Sequence, residues 1–87
     1  MILQGKRILV VEDEPIIAFA LEDMLIEDGA DVTAVGSLQD GLANARDERF
    51  DFAILDINLH GEKSYPIAHE LGRKGVKFVF ASGYGDA

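Results

Sequence analysis

Apolar residues recur along this chain with two different periods. Arg7 to Val11, Asp31 to Val35, Phe52 to Leu55 and Lys77 to Ala81 are short runs dominated by apolar residues, many of them β-branched or aromatic. Runs of this length and composition read as strands, and the near-continuous ILVV, FAIL and FVF segments fit strands covered on both faces. Helical spacing fills the intervals. Ile17, Leu21, Met24 and Leu25 define a first stripe, Leu38, Leu42 and Ala45 a second, and Ile67, Ala68 and Leu71 a third. Pro15 suits a first helical turn, with Glu14 beside it favouring the N-terminal end of the dipole, and Gly29 is placed to close that helix. Ser37 is an N-cap for the second helix, with Asp40 three residues on as a capping-box partner. Ser64 is a cap for the third, which has Pro66 in its first turn and Gly72 or Gly75 at its end. INLHGEK, between the third strand and the third helix, reads as a polar loop. The order βαβαβαβ with short connections predicts an α/β domain over residues 1–87, with right-handed crossovers, a parallel sheet and helices on both faces.

Carboxylates stand where the strand runs stop. Glu12 and Asp13 follow the first strand and Asp56 follows the third. In an open parallel sheet the C-terminal strand ends form the ligand-binding crevice. Carboxylates converging there repel one another, and without a cation at least one should have a raised pKa. A hard divalent cation resolves the conflict, because Mg2+ takes one or two carboxylates, keeps several waters and leaves a position for a phosphoryl oxygen. Aspartate is a nucleophile toward phosphoryl groups, giving an acyl phosphate. The residues therefore assign Asp56 as nucleophile and metal ligand, Asp13 as direct metal ligand, Glu12 as a ligand through water, and the Asn58 backbone carbonyl as a further oxygen. Ser82, just past the fourth strand, offers a hydroxyl to the phosphoryl group, and Gly83 leaves room for it. Each residue alone has a plainer role: helix-dipole complement, turn residue or loop hydroxyl. The joint placement favours the site. His60, Lys63 and His69 are read as solvated or structural.

Composition narrows the function classes. The net charge of −8 opposes a nucleic-acid surface, which needs clustered Lys and Arg. No apolar stretch approaches the ~20 residues of a membrane span, and MILQGKR lacks the pattern of a signal peptide. Cysteine is absent, which excludes disulfides and thiolate metal sites and fits a cytoplasmic protein.

Taken together, ILVVEDE, FAILDINL and FVFASG resemble the first strand with acidic pair, the phosphoacceptor strand and the fourth strand of response-regulator receiver domains. The resemblance covers the whole chain. It implies a flavodoxin-like doubly wound sheet, here with four of the usual five strands in order 2-1-3-4. It also implies a cytoplasmic, non-enzymatic phosphorelay switch of a two-component system. A sensor histidine kinase or histidine phosphotransfer protein would donate a phosphoryl group to Asp56 with Mg2+ present. At a finer level DINLHGEKSYPIA followed by FVFASGYG resembles the alphaproteobacterial FAT GUY receivers, with Ser82 in the Thr position and Tyr84 as the aromatic. Ser82 and Tyr84, flanked by Gly83 and Gly85, would form the local switch. Two departures stand out. His60 occupies a position where many receivers carry Pro, and the family's further helix, its fifth strand with the phosphoryl-pairing lysine, and its last helix have no counterpart here. That leads to the expectation of a C-terminally truncated receiver, self-associating as a homodimer through the exposed fourth-strand edge, with Phe residues among 52, 78 and 80 lacking cover.

Two other functions compete. A haloacid-dehalogenase-type phosphatase also uses a strand-end Asp, but needs an acid two residues later, where this chain has Asn58, and carries its acidic metal pair late rather than first. A phosphate-silent, receiver-like docking module would keep the fold without the chemistry.

Overall fold

The computed structural model describes residues 2–81. Strand β1 (Arg7–Val11) leads into helix α1 (Pro15–Glu27), then β2 (Asp31–Val35) and α2 (Leu38–Asp47). Strand β3 (Phe52–Leu55) is followed by two short strands, β4 (Asn58–Leu59) and β5 (Glu62–Lys63). Helix α3 (Tyr65–Arg73) and strand β6 (Lys77–Phe80) complete the described residues. The main sheet is parallel throughout in the order β2-β1-β3-β6, which is the flavodoxin-like arrangement predicted from the sequence.

Strand alternation divides the core in two. Leu9, Val11, Ala53 and Leu55 point to the side covered by α2 and α3, where they join Ala45, Leu59, Ile67 and Leu71. Ile8 and Val10 point the other way and meet Leu21 and Leu25 of α1. Met24, included in the apolar stripe of α1, is 65% exposed instead. The stripe's contact with the sheet is made by Leu21 and Leu25.

Helix ends follow backbone chemistry. Gly29 takes φ +96°, with its N–H on the Ile26 carbonyl and the Ala30 N–H on the Leu25 carbonyl. Those two bonds make a Schellman closure. A Cβ at Gly29 would lie 2.9 Å from the Gln4 Cα, so the glycine is also required by close backbone packing. Gly75, with Val76, closes α3 through the same pair of bonds, whereas Gly72 lies inside the helix. Ser37 caps α2 by accepting the Asp40 N–H at 3.1 Å. Ser64 does not cap α3 through its side chain; its hydroxyl is buried without a partner, and its carbonyl accepts from Ile67 and Ala68.

The expectation of uncovered phenylalanines holds for Phe80, 37% exposed, whereas Phe52 and Phe78 are half-buried against the two cores. Phe52 shares the α1 side with Ile54, beside an open groove of about 420 Å³ that is also lined by Leu3, Ile8 and Leu25. Phe78 packs against the larger core, and Phe80 stacks edge-on against Tyr65 of α3 at 5.9 Å between ring centroids. Period-two alternation along β6 puts these two rings on the α3 side, Phe80 at its margin, and turns Val79, 48% exposed, to the open side.

Candidate metal centre

The parallel register brings the acidic residues together. Val11 is level with Val35 on one side and Leu55 on the other, and Leu55 is level with Phe80. Ladder bonds continue one residue past the strands: the Glu12 N–H reaches the Val35 carbonyl at 3.0 Å, the Asp56 N–H reaches Val11 at 2.8 Å, and the Ala81 N–H reaches Leu55 at 2.8 Å. Glu12 and Asp56 are therefore fixed by main-chain bonds at the carboxyl edge of adjacent strands. Side-chain oxygens of Glu12, Asp13 and Asp56 all lie within 4.8 Å of one another. Burial grades across them: Glu12 and Asp56 are buried and the Asp13 side chain is 19% exposed. A cleft of about 250 Å³ opens beside Glu12 and Asp13, bounded by Pro15, Ala18, Val35 and Gly36.

Three carboxylates in this space strain one another electrostatically. Burial pushes the Glu12 carboxyl up from its usual 4.5 to about 7, opposed by the Glu14 amide and reinforced by the negative charges of Asp56 and Asp13. Asp56 is also raised, again chiefly by burial, with the Glu12 carboxyl and the Asn58 amide pulling it down and Asp13 pushing it up. Glu12 Oε2 accepts the Glu14 N–H at 3.0 Å, while Oε1 is buried and has no hydrogen-bond partner. An orphaned buried carboxylate oxygen facing two further carboxylates is a donor set suited to a hard divalent cation.

Of the residues assigned from sequence, the fold unites Glu12, Asp13 and Asp56 and places Asn58 two residues beyond Asp56, at the start of β4. Ser82 and Tyr84 lie outside the described residues; Ala81, immediately before them, is held beside Asp56's strand.

The segment INLHGEK, expected as a loop, contains structure that its sequence does not announce. β4 and β5 pair antiparallel, Asn58 with Lys63 and Leu59 with Glu62, around a two-residue turn. His60 and Gly61 have φ of +51° and +86°, the double positive conformation of a type I′ hairpin turn. Lys63 donates to Asn58 Oδ1 at 2.7 Å, and the His60 N–H donates to Asp13 Oδ2 at 2.8 Å. The available signal was the dipeptide HG between two apolar or long-chained pairs, a weaker turn mark than Asn-Gly. Lys63 is exposed, as expected, but ordered by its bond to Asn58.

The chain is similar to known proteins. The family model described as the response regulator receiver domain matches residues 8–87. SdrG from Sphingomonas melonis Fr1, known from a solution structure, is 46% identical, with a TM-score of 0.78 over 87% of this chain and 66% of its own. The Thermotoga maritima response regulator TrrA, crystallised with Mg2+ and beryllium fluoride, is 32% identical, with a TM-score of 0.80 over 88% of this chain and 69% of its own. The transcriptional regulatory protein TcrA of Mycobacterium tuberculosis is 34% identical over 74 residues, which span 85% of this chain and 29% of TcrA. The chain thus spans under a third of the length of that curated relative. Among the described residues no helix is long and apolar enough to cross a membrane.

Proposed function

The chain belongs to the response regulator receiver domain family of two-component systems, and on that premise we propose that it accepts a phosphoryl group on Asp56 in a Mg2+-dependent reaction. Buried Asp56 beside Glu12 and Asp13, with Glu12 Oε1 left unpartnered, is the observation that carries this reading. An Asp56 carboxylate oxygen attacks the phosphorus of a phosphohistidine on a sensor kinase or phosphotransfer protein. The new P–O bond gives an acyl phosphate, the P–N bond breaks, and the departing imidazole nitrogen takes up a proton. A bound Mg2+ supplies charge neutralisation for the phosphoryl oxygens. Asp13, more open to the cleft, and Asp56 would hold it directly, Glu12 through water, and the Asn58 carbonyl would complete the protein's share. Ser82, next in sequence after Ala81, would offer its hydroxyl to a phosphoryl oxygen. The acidic surface and short α/β fold support a cytoplasmic signalling module, and the match of ASGYG to the FAT GUY pattern supports placement in that subgroup.

Beryllium fluoride with Mg2+ tests the proposal against a phosphate-silent docking module. Titration of isotope-labelled protein should move the amide resonances of residues 12–13 and 56–58 together, with Asp13→Ala weakening Mg2+ binding more than Glu12→Ala. Unmoved resonances at saturating reagent would favour the docking module.

We further propose that the polypeptide self-associates through β6. Among the described residues the outer edge of β6 pairs with no strand, Val79 and Phe80 are 48% and 37% exposed, and the Phe52–Ile54 groove is open beside it. Apolar strand edges template pairing with another chain. Each large side chain covered gains roughly 1.5–3 kcal/mol. Sedimentation of the 87-residue polypeptide should show dimers across the micromolar range; a concentration-independent monomer would remove the proposal.

A further inference from the structure

The β4–β5 hairpin enters the chemistry derived above only through the Asn58 carbonyl, yet its tip also reaches the acidic cluster. Its base is closed by the Ser64 N–H on the Ile57 carbonyl at 2.8 Å, and Leu59 anchors it in the core with no exposed surface. Its side is tied by Lys63 to the Asn58 side chain at 2.7 Å. Its tip delivers the His60 N–H to Asp13 Oδ2 at 2.8 Å, across 47 positions of sequence. That contact joins the third strand's loop to the first strand's acidic pair. We propose that the hairpin is a clasp that positions Asp13 for metal binding, His60 acting through its backbone N–H and Lys63 through Asn58. The proposal rests on the metal-site reading above.

The geometry explains why the main chain, and not the imidazole, performs the task. The His60 ring nitrogen Nδ1 lies 3.7 Å from Asp13 Oδ2 and the ring is 70% exposed, so solvent competes for it. The N–H is shorter-range and held by the turn itself. A carboxylate with one oxygen held by a fixed donor loses the freedom to rotate, and its other oxygen can be presented to a cation. Residues that orient metal ligands in this way commonly change affinity by 10- to 100-fold when removed. The left-handed backbone at His60 is part of the device. Proline has no N–H and cannot adopt φ +51°, so a chain with Pro here could not make this contact. Asn keeps both the N–H and the tolerance for positive φ.

Mg2+ titration by calorimetry and by amide resonances, with circular dichroism to confirm folding, tests the clasp. His60→Asn should bind Mg2+ within about twofold of the parent, whereas His60→Pro should bind about tenfold more weakly, and Lys63→Met should fall between them. In the parent the His60 amide should exchange slowly with solvent and lose that protection in Asp13→Ala, a readout that stands even if His60→Pro fails to fold. Unchanged affinity in a folded His60→Pro, or a fast-exchanging His60 amide in the parent, would overturn the clasp. Absence of Mg2+ binding by the parent with a protected His60 amide would instead refute the metal site and leave the contact intact.

Discussion

Asp56→Asn should reduce phosphoryl incorporation from acetyl phosphate, or from a phosphorylated kinase, to background in the natural protein. Amide nitrogen and oxygen at that position lack the carboxylate's nucleophilicity, so no acyl phosphate can form. The neighbouring carboxylates are poor substitutes. Glu12 Oε2 is engaged by the Glu14 N–H and its carboxyl is raised to about 7, while Asp13 Oδ2 is engaged by His60. Neither residue sits at the end of the central β3 strand, flanked by β1 and β6, where a phosphoryl group can be met from both sides. The substitution is close to isosteric and removes one of three mutually repelling charges, so the variant should melt no lower than the parent. Loss of labelling with an unchanged or raised Tm is the expected result. Retained labelling at normal stoichiometry would move the phosphoacceptor elsewhere.

How much of this was legible in the sequence depends on the length scale of the signal. The four main strands were readable because buried parallel strands are continuous apolar runs, and Arg7–Val11, Asp31–Val35 and Phe52–Leu55 appear with the predicted bounds. The closing glycines were readable because Gly29 and Gly75 serve a backbone conformation that few other residues accept. Glu12, Asp13 and Asp56 were readable as a group because a parallel sheet collects its strand ends on one edge. What was not readable depended on tertiary contact. Nothing local distinguishes Met24 from Leu25, one exposed and the other packed on the sheet. The direction of Phe78 and Phe80 follows from the register with β3, which cannot be read from β6 alone. The hairpin at 58–63 has strands of only two residues each, too short for alternation to show. Its link to Asp13 joins segments that no sequence pattern connects.

Without metal, the protein should be more stable at pH 5.5 than at pH 8, the reverse of ordinary acid sensitivity. Glu12, raised from 4.5 to about 7, keeps its proton in the folded state over a range where the unfolded chain has lost it. The folded state then binds more protons, so stability falls as pH rises through that window and levels off above about 7. Asp56, also raised, acts in the same direction at the acidic end. Glu70 acts oppositely: its carboxyl is lowered by Arg73, and its contribution is lost only as pH falls below the usual carboxylate range, outside this window. A tenfold difference in proton affinity between folded and unfolded chains is worth about 1.4 kcal/mol, and the part of the Glu12 shift that falls between pH 5.5 and 8 makes the difference on the order of 2 kcal/mol. For a domain of this size that corresponds to a change in Tm on the order of 10 °C. Saturating Mg2+ should close most of the gap at pH 8, since a ligand at 100 times its Kd stabilises the folded state by about 2.7 kcal/mol. It should have little effect at pH 5.5, where the Glu12 proton competes with the cation. Glu12→Gln removes the titrating group and should flatten the metal-free profile between those pH values. Melting curves in EDTA that rise or stay level from pH 5.5 to 8 would show that burial does not raise the Glu12 carboxyl in the folded protein.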